Sequence, residues 1–127
     1  MTASPLMLLK LTTKEVIMIR RIITKYKIPV YSTGYALCYY QDLGISSFQM
    51  FCLCLLIAHK FNEDYKIRSS CWSRCTNIDK RWLIDNEIKV LKHFKHEMHL
   101  PYERVAIVSF TCMKAFYPSK KSKYLYS

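Results

Sequence analysis

Glycine and proline are scarce in this chain: two Gly and four Pro among 127 residues. So few turn-formers exclude a many-stranded all-β fold and leave room for long helices. Two glycines also cannot build a glycine-rich phosphate loop. Acidic residues are few, nine against twenty Lys and Arg, for a net charge of +11. That excess implies acidic partners or a solvated basic face. A long hydrophobic run is missing as well. The most apolar stretch, Phe48 to Ala58, contains Gln49, stops at His59-Lys60 and falls short of the ~20 residues a bilayer needs. No membrane partner is expected. Pro5 to Leu11 is apolar but short, lacks a basic n-region and is broken by Lys10, so no signal peptide is expected. The six cysteines, Cys38, Cys52, Cys54, Cys71, Cys75 and Cys112, are then expected as free thiols in a reducing, intracellular compartment, nucleus or cytoplasm.

What is present is a globular composition, 51% hydrophobic and 23% charged, at a length that suits one compact domain. The pattern is helical throughout. Residues 1–11 form a leader. Thr12-Thr13-Lys14-Glu15 reads as a capping box, opening a first helix that runs to about Tyr26 with Val16, Ile19, Ile23 and Tyr26 on one face. Ser32 is placed to cap a second helix carrying Tyr35, Ala36, Tyr39, Tyr40 and Leu43, closed by Gly44. Ser46 or Ser47 caps a third, Phe48 to about Lys60, apolar on nearly every side and therefore central. Asn62 to Lys66 is a polar turn. A short fourth helix spans Arg68 to Cys75 around Trp72. Asn77 or Asp79 caps a fifth that continues to about Met98, with Ile84, Ile88, Leu91, Phe94 and Met98 as its stripe. After Leu100-Pro101, Tyr102 to Phe116 reads as a sixth helix with Val105, Val108 and Met113 inside; its β-branched content makes a strand the alternative. Residues 118–127 are a basic tail.

Glu87 stands out among the charged residues. It lies three after Ile84 and four before Leu91, on the apolar stripe of the fifth helix. A carboxylate there needs a partner or an edge position, because unpaired burial is costly. It is either satisfied locally by Arg, Lys or backbone, or is an interface carboxylate. Lys60, closing the third helix, carries the same two readings, since a terminal lysine also complements the helix dipole. Metal chemistry is not expected. Cys52 and Cys54 point to different faces of one helix, Cys71 and Cys75 stand four apart, His93, His96 and His99 repeat every three, and no CxxC pair occurs. Cysteines within apolar runs resist thiolate formation, which argues against Cys–His catalysis. No cofactor is expected.

The order of these features resembles the cyclin box. The matching residues are the apolar third helix ending in Ala58-His59-Lys60-Phe61, then Glu87-Ile88-Lys89-Val90-Leu91 in the fifth. Lys60-Phe61, Asp64-Tyr65 and Trp72-Ser73, together with Ala36-Leu37-Cys38-Tyr39-Tyr40, look most like the fungal phosphate-pathway type of cyclin. The resemblance covers roughly Glu15 to Leu100. It implies an all-α fold: a cyclin box over residues 12–100, five helices around a central apolar one, plus the C-terminal helix at 101–117. It also implies a regulatory subunit, not an enzyme, which binds and activates a cyclin-dependent protein kinase by packing on its mobile helix, with cell-cycle or nutrient signalling as the setting. By the same resemblance Lys60 and Glu87 are the polar kinase contacts. Phe61, Leu91 and Phe94 supply apolar contact or support.

The chain also departs from that pattern. The Met-Arg-Ala-Ile-Leu substrate-docking motif is absent, and the first helix offers only Met18-Ile19-Arg20-Arg21-Ile22. The Asp-Arg pair that often closes the second helix appears as Gln41-Asp42, so an internal Arg–Asp brace would have to be rebuilt. A second full cyclin box does not fit the length. The rival reading is a cyclin-fold transcription or nucleic-acid-binding module, in which twenty basic residues and ten tyrosines form a stacking surface. Against it, the basic residues are spread along the chain.

Overall fold

A computed structural model describes residues 11–63 and 67–117. Residues 1–10 of the leader expected at 1–11, the tail at 118–127 and Asp64-Tyr65 of the motif lie outside the described residues. The rest is all-helical: α1 (Thr13–Tyr26), α2 (Val30–Leu43), α3 (Phe48–Asn62), α4 (Ser69–Thr76), α5 (Lys80–His93) and α6 (Tyr102–Phe116), with no strand among the described residues. The strand alternative for 102–116 is not adopted.

Local chemistry sets most helix ends. The Thr12 hydroxyl accepts from the Glu15 amide at 3.1 Å, and the Thr12 amide donates to the Glu15 carboxylate at 3.0 Å. This reciprocal pair fills donors the first turn of α1 would leave open. Gly44 closes α2 at φ 71° and Ser47 caps α3 through the Met50 amide. The start of α2 departs from expectation. Ser32 is not a cap but a fully buried helical residue whose hydroxyl donates to Glu63. The helix begins at Val30 after Pro29, whose fixed φ of −65° suits the cap position and whose carbonyl accepts from Thr33.

α3 is enclosed as its composition predicts, with every residue from Met50 to His59 buried. It is not the sole centre, however. Ser32 to Tyr40 of α2 are all buried as well, because α2 packs against α3 and against α6. Its tyrosines can be enclosed because the chain after α5 lies along them: the Tyr39 hydroxyl donates to the Met98 carbonyl at 2.6 Å, and the Tyr35 hydroxyl meets the Leu100 backbone. Trp72 anchors α4 by donating its indole N–H to the Cys52 carbonyl at 3.1 Å.

α6 runs back across α2. Arg104 near its start reaches Asp42 at 2.6 and 3.0 Å and the Cys38 carbonyl at 3.4 Å. At its end, Arg20 of α1 grips the Ala115 carbonyl with two donors at 3.0 and 2.9 Å, and the Tyr117 hydroxyl donates to the Ile28 carbonyl. At the crossing, a methyl added to Gly34 would overlap the Ser109 hydroxyl and come within 3.1 Å of the Val105 carbonyl. The glycine is what lets the two backbones approach. The inward face of α6 is Val105, Ser109, Cys112, Ala115 and Phe116; Val108 and Met113, expected inside, are only half-buried.

α5 also departs from its reading. It stops at His93, not near Met98. Lys95 and His96 take left-handed backbone, and the His96 amide bonds back to the Leu91 carbonyl at 2.8 Å, a terminating turn that brings Met98 onto Tyr39. Its phase is rotated as well. Leu83 and Val90 are the buried residues, while Ile84 and Ile88 are exposed.

Candidate functional site

The rotation of α5 puts Glu87 one turn after Leu83 and one turn before Val90, on the line that faces the rest of the protein. It finds a partner there. Lys60, at the end of α3, donates to both carboxylate oxygens of Glu87 at 3.0 and 3.2 Å. The two side chains are 26% and 20% exposed, so the pair sits at a half-open edge rather than inside the core. The bidentate contact ties two helices twenty-seven residues apart in sequence. Lys60 also suits its place at the negative end of the α3 dipole.

The end of α3 is built tightly beneath the pair. The Glu63 amide bonds to the His59 carbonyl at 2.9 Å, and the Asn62 amide group donates to the Ala58 carbonyl at 2.9 Å. His59 is fully buried, and that burial lowers its proton affinity, partly offset by the charge of Glu63. The imidazole is therefore neutral at neutral pH.

The apolar surroundings are divided. Phe61, next to Lys60, is exposed while its ring edges Tyr35 at 5.9 Å between centroids. Leu91, one turn beyond Glu87, is half-buried. Phe94 is half-buried against Tyr39 at 5.5 Å, a supporting position rather than a presented one. Ile84 and Ile88, expected inside, are instead exposed to one side of Glu87, Ile88 at 50% exposure. The 83–87–90 spacing could have shown this, because it fits a helix face as well as the 84–88–91 spacing does. Lys60 and Glu87 are thus brought together, Phe61 follows Lys60 in the chain and is exposed, Leu91 lies further along α5, and Phe94 lies just past its end.

The cysteines and histidines build no second centre. Cys52, Cys54 and Cys112 are buried, and burial pushes their thiols up, Cys112 to about 12. Cys71 and Cys75 are half-buried, and His93, His96 and His99 are exposed. Among the described residues no three His, Cys, Asp or Glu side chains are grouped to hold a metal ion. Nor is any helix among them long and apolar enough to cross a membrane. The missing internal brace has a counterpart: Asp42 at the end of α2 pairs with Arg104 of α6. Arg20, the arginine of Met18-Ile19-Arg20, is turned to the Ala115 carbonyl. Compared with known proteins, the chain matches no family model, no curated sequence and no solved structure, so its own geometry carries the functional reading.

Proposed function

We propose that the chain is a cyclin-like regulatory subunit that binds a cyclin-dependent protein kinase, in the nucleus or cytoplasm, and activates it by packing on the kinase's mobile helix. The observation that carries this reading is the Lys60–Glu87 pair at a half-open edge, together with exposed Phe61, next to Lys60 in the chain, and exposed Ile84 and Ile88 on the helix that carries Glu87. A fully buried pair would be spent on the fold. A fully solvated one would contribute little to either fold or binding. A half-open pair with exposed apolar side chains on the same two helices offers a partner both polar registration and surface to bury.

The chain itself would make and break no bonds. A kinase holds ATP productively only when its β3 lysine is paired with the glutamate of its own mobile helix. A protein that binds that helix better in its inward position shifts the population toward the active arrangement by its difference in affinity for the two positions. On this reading Lys60 and Glu87 are polar anchors and Phe61 and Ile88 the apolar ones, with Leu91 and Phe94 beneath.

The test is a binding titration against purified cyclin-dependent kinases, read alongside phosphorylation of a peptide substrate. Saturable binding and a rise in phosphorylation are expected for the natural chain. The double variant Lys60→Ala/Glu87→Ala should bind about tenfold or more weakly, and Ile88→Asp should do the same while melting at the natural temperature. Equal binding by all three would sink the anchor assignment.

One observation favours the nucleic-acid alternative. The contact of Tyr26 with Trp72, 5.7 Å between ring centroids, joins the end of α1, which carries exposed Lys25 and Lys27, to α4, which carries exposed Arg74. DNA binding with a steep salt slope, and no kinase binding, would favour it.

A further inference from the structure

α6 has two faces of opposite kind. Val105, Ser109, Cys112 and Phe116 turn inward to the rest of the protein. Glu103, Ile107, Phe110 and Lys114 follow one another at spacings of four, three and four, which on an α-helix is a single narrow stripe on the opposite side. All four are exposed; Ile107 is 69% and Phe110 60% accessible, on a helix otherwise firmly seated. The Lys114 ammonium lies over the Phe110 ring at 4.9 Å from its centroid, which holds it on the stripe. Neither Glu103 nor Lys114 has an ion-pair partner among the described residues.

The order of the four residues names an occupant. The midpoint between Glu103 and Lys114 is also the midpoint between Ile107 and Phe110. A two-fold axis through that point, with a second α6 laid antiparallel, sets Ile107 against the other copy's Phe110. The same operation sets Glu103 against the other copy's Lys114, at both ends at once. Such a surface is complementary to itself, which is what an isologous dimer requires. The antiparallel arrangement also places each carboxylate, at a helix start, beside an ammonium at a helix end, in line with both helix dipoles. A parallel pairing would oppose like charges.

We infer that the outer face of α6, Glu103–Ile107–Phe110–Lys114, is the interface of a weak antiparallel homodimer of this chain. This does not depend on kinase binding, because none of the four residues belongs to the Lys60–Glu87 site. One four-turn helix covers less than the ~800 Å² per partner of a standard stable interface. Each copy also carries a charge of +11, which opposes association until salt screens it. A dissociation constant between roughly 10 µM and 1 mM is therefore expected.

Sedimentation velocity across a concentration series at near-physiological salt tests it. The natural chain should move from monomer toward twice its mass as concentration rises. Phe110→Asp should remain monomeric. Lys114→Glu and Glu103→Lys should each weaken association about tenfold, because each sets like charges against one another. The combined variant Glu103→Lys/Lys114→Glu should recover the natural association. All four positions are exposed, so circular dichroism should report the same helix content throughout. A natural chain that stays monomeric to about 1 mM, a dimer that survives Phe110→Asp, or a combined variant no better than either single reversal overturns the inference.

Discussion

The seam between α2 and α6 and the corner between α3 and α5 both join two helices with the help of an ion pair, but the pairs play different parts. At the seam, Arg104 and Asp42 sit at one edge, and the contact is closed elsewhere, by backbone approach at Gly34 and, at the far end, by the hydrogen bond between the Thr33 and Tyr117 hydroxyls. At the corner, Leu83 and Val90 are buried, the Lys60–Glu87 pair spans the half-open edge beside them, and Phe61 and Ile88 on the same helices stay exposed. The seam is finished within the chain. The corner keeps apolar surface open to solvent, the condition for reading it as a docking face. An ion pair alone therefore does not mark a site; its setting does.

The sharpest way to break the comparison is at Gly34. Gly34→Ala should cost about 2–3 kcal/mol in urea unfolding, because the new methyl meets the Ser109 hydroxyl and sits 3.1 Å from the Val105 carbonyl, so α2 and α6 must part slightly. Ser109→Ala at the same crossing should be close to neutral. Its hydroxyl is buried with no hydrogen-bond partner among the described residues, so removing it exposes no orphan. If Gly34→Ala unfolds at the natural midpoint, the seam is looser than drawn.

The corner should respond less and in a coupled way. Glu87→Ala alone leaves a half-buried ammonium and should cost about 1–3 kcal/mol. The double replacement of Lys60 and Glu87 should cost less than the sum of the singles, with a coupling of about 0.5–2 kcal/mol in a double-mutant cycle. Additive losses would mean that the pair does not join the helices.

The smallest effect is a pH dependence from His59. Its folded-state proton affinity is lowered by burial, so the unfolded chain binds the proton more readily. The stability this lends is complete above the ordinary histidine pKa of about 6.5 and declines as pH falls below it. Unfolding midpoints between about pH 6.5 and 5, above the range where most carboxylates titrate, should fall in the natural chain and flatten in His59→Gln. Equal slopes in the two would remove His59 from the account.

Much of the fold was legible because its signals are local. Thr12 and Glu15 cap α1 three residues apart, Gly44 and Ser47 bracket a turn, and ten successive buried residues of α3 are a composition rather than a pattern. What misled was phase. In α5, Leu83, Glu87 and Val90 fit helical spacing as well as Ile84, Ile88 and Leu91 do, and only the neighbours of a helix choose between two such stripes. The enclosure of α2 was unreadable for the same reason. Tyr35 and Tyr39 can be buried because Leu100 and Met98, about sixty residues on, supply the carbonyls for their hydroxyls.

The sequence by itself determined the predominantly helical class, the approximate limits of the first four helices, the buried centre of α3, and Lys60 and Glu87 as charges needing an account. Each of these rests on a few neighbouring residues, and local energetics reach that far. The tertiary structure decided that Lys60 and Glu87 meet each other, that Ile84 and Ile88 face solvent, that Arg104 answers Asp42, and that α6 is sealed on one face and bare on the other. Those outcomes depend on how whole helices are rotated against one another. That rotation is set by packing summed over the chain, which no single stretch of it contains.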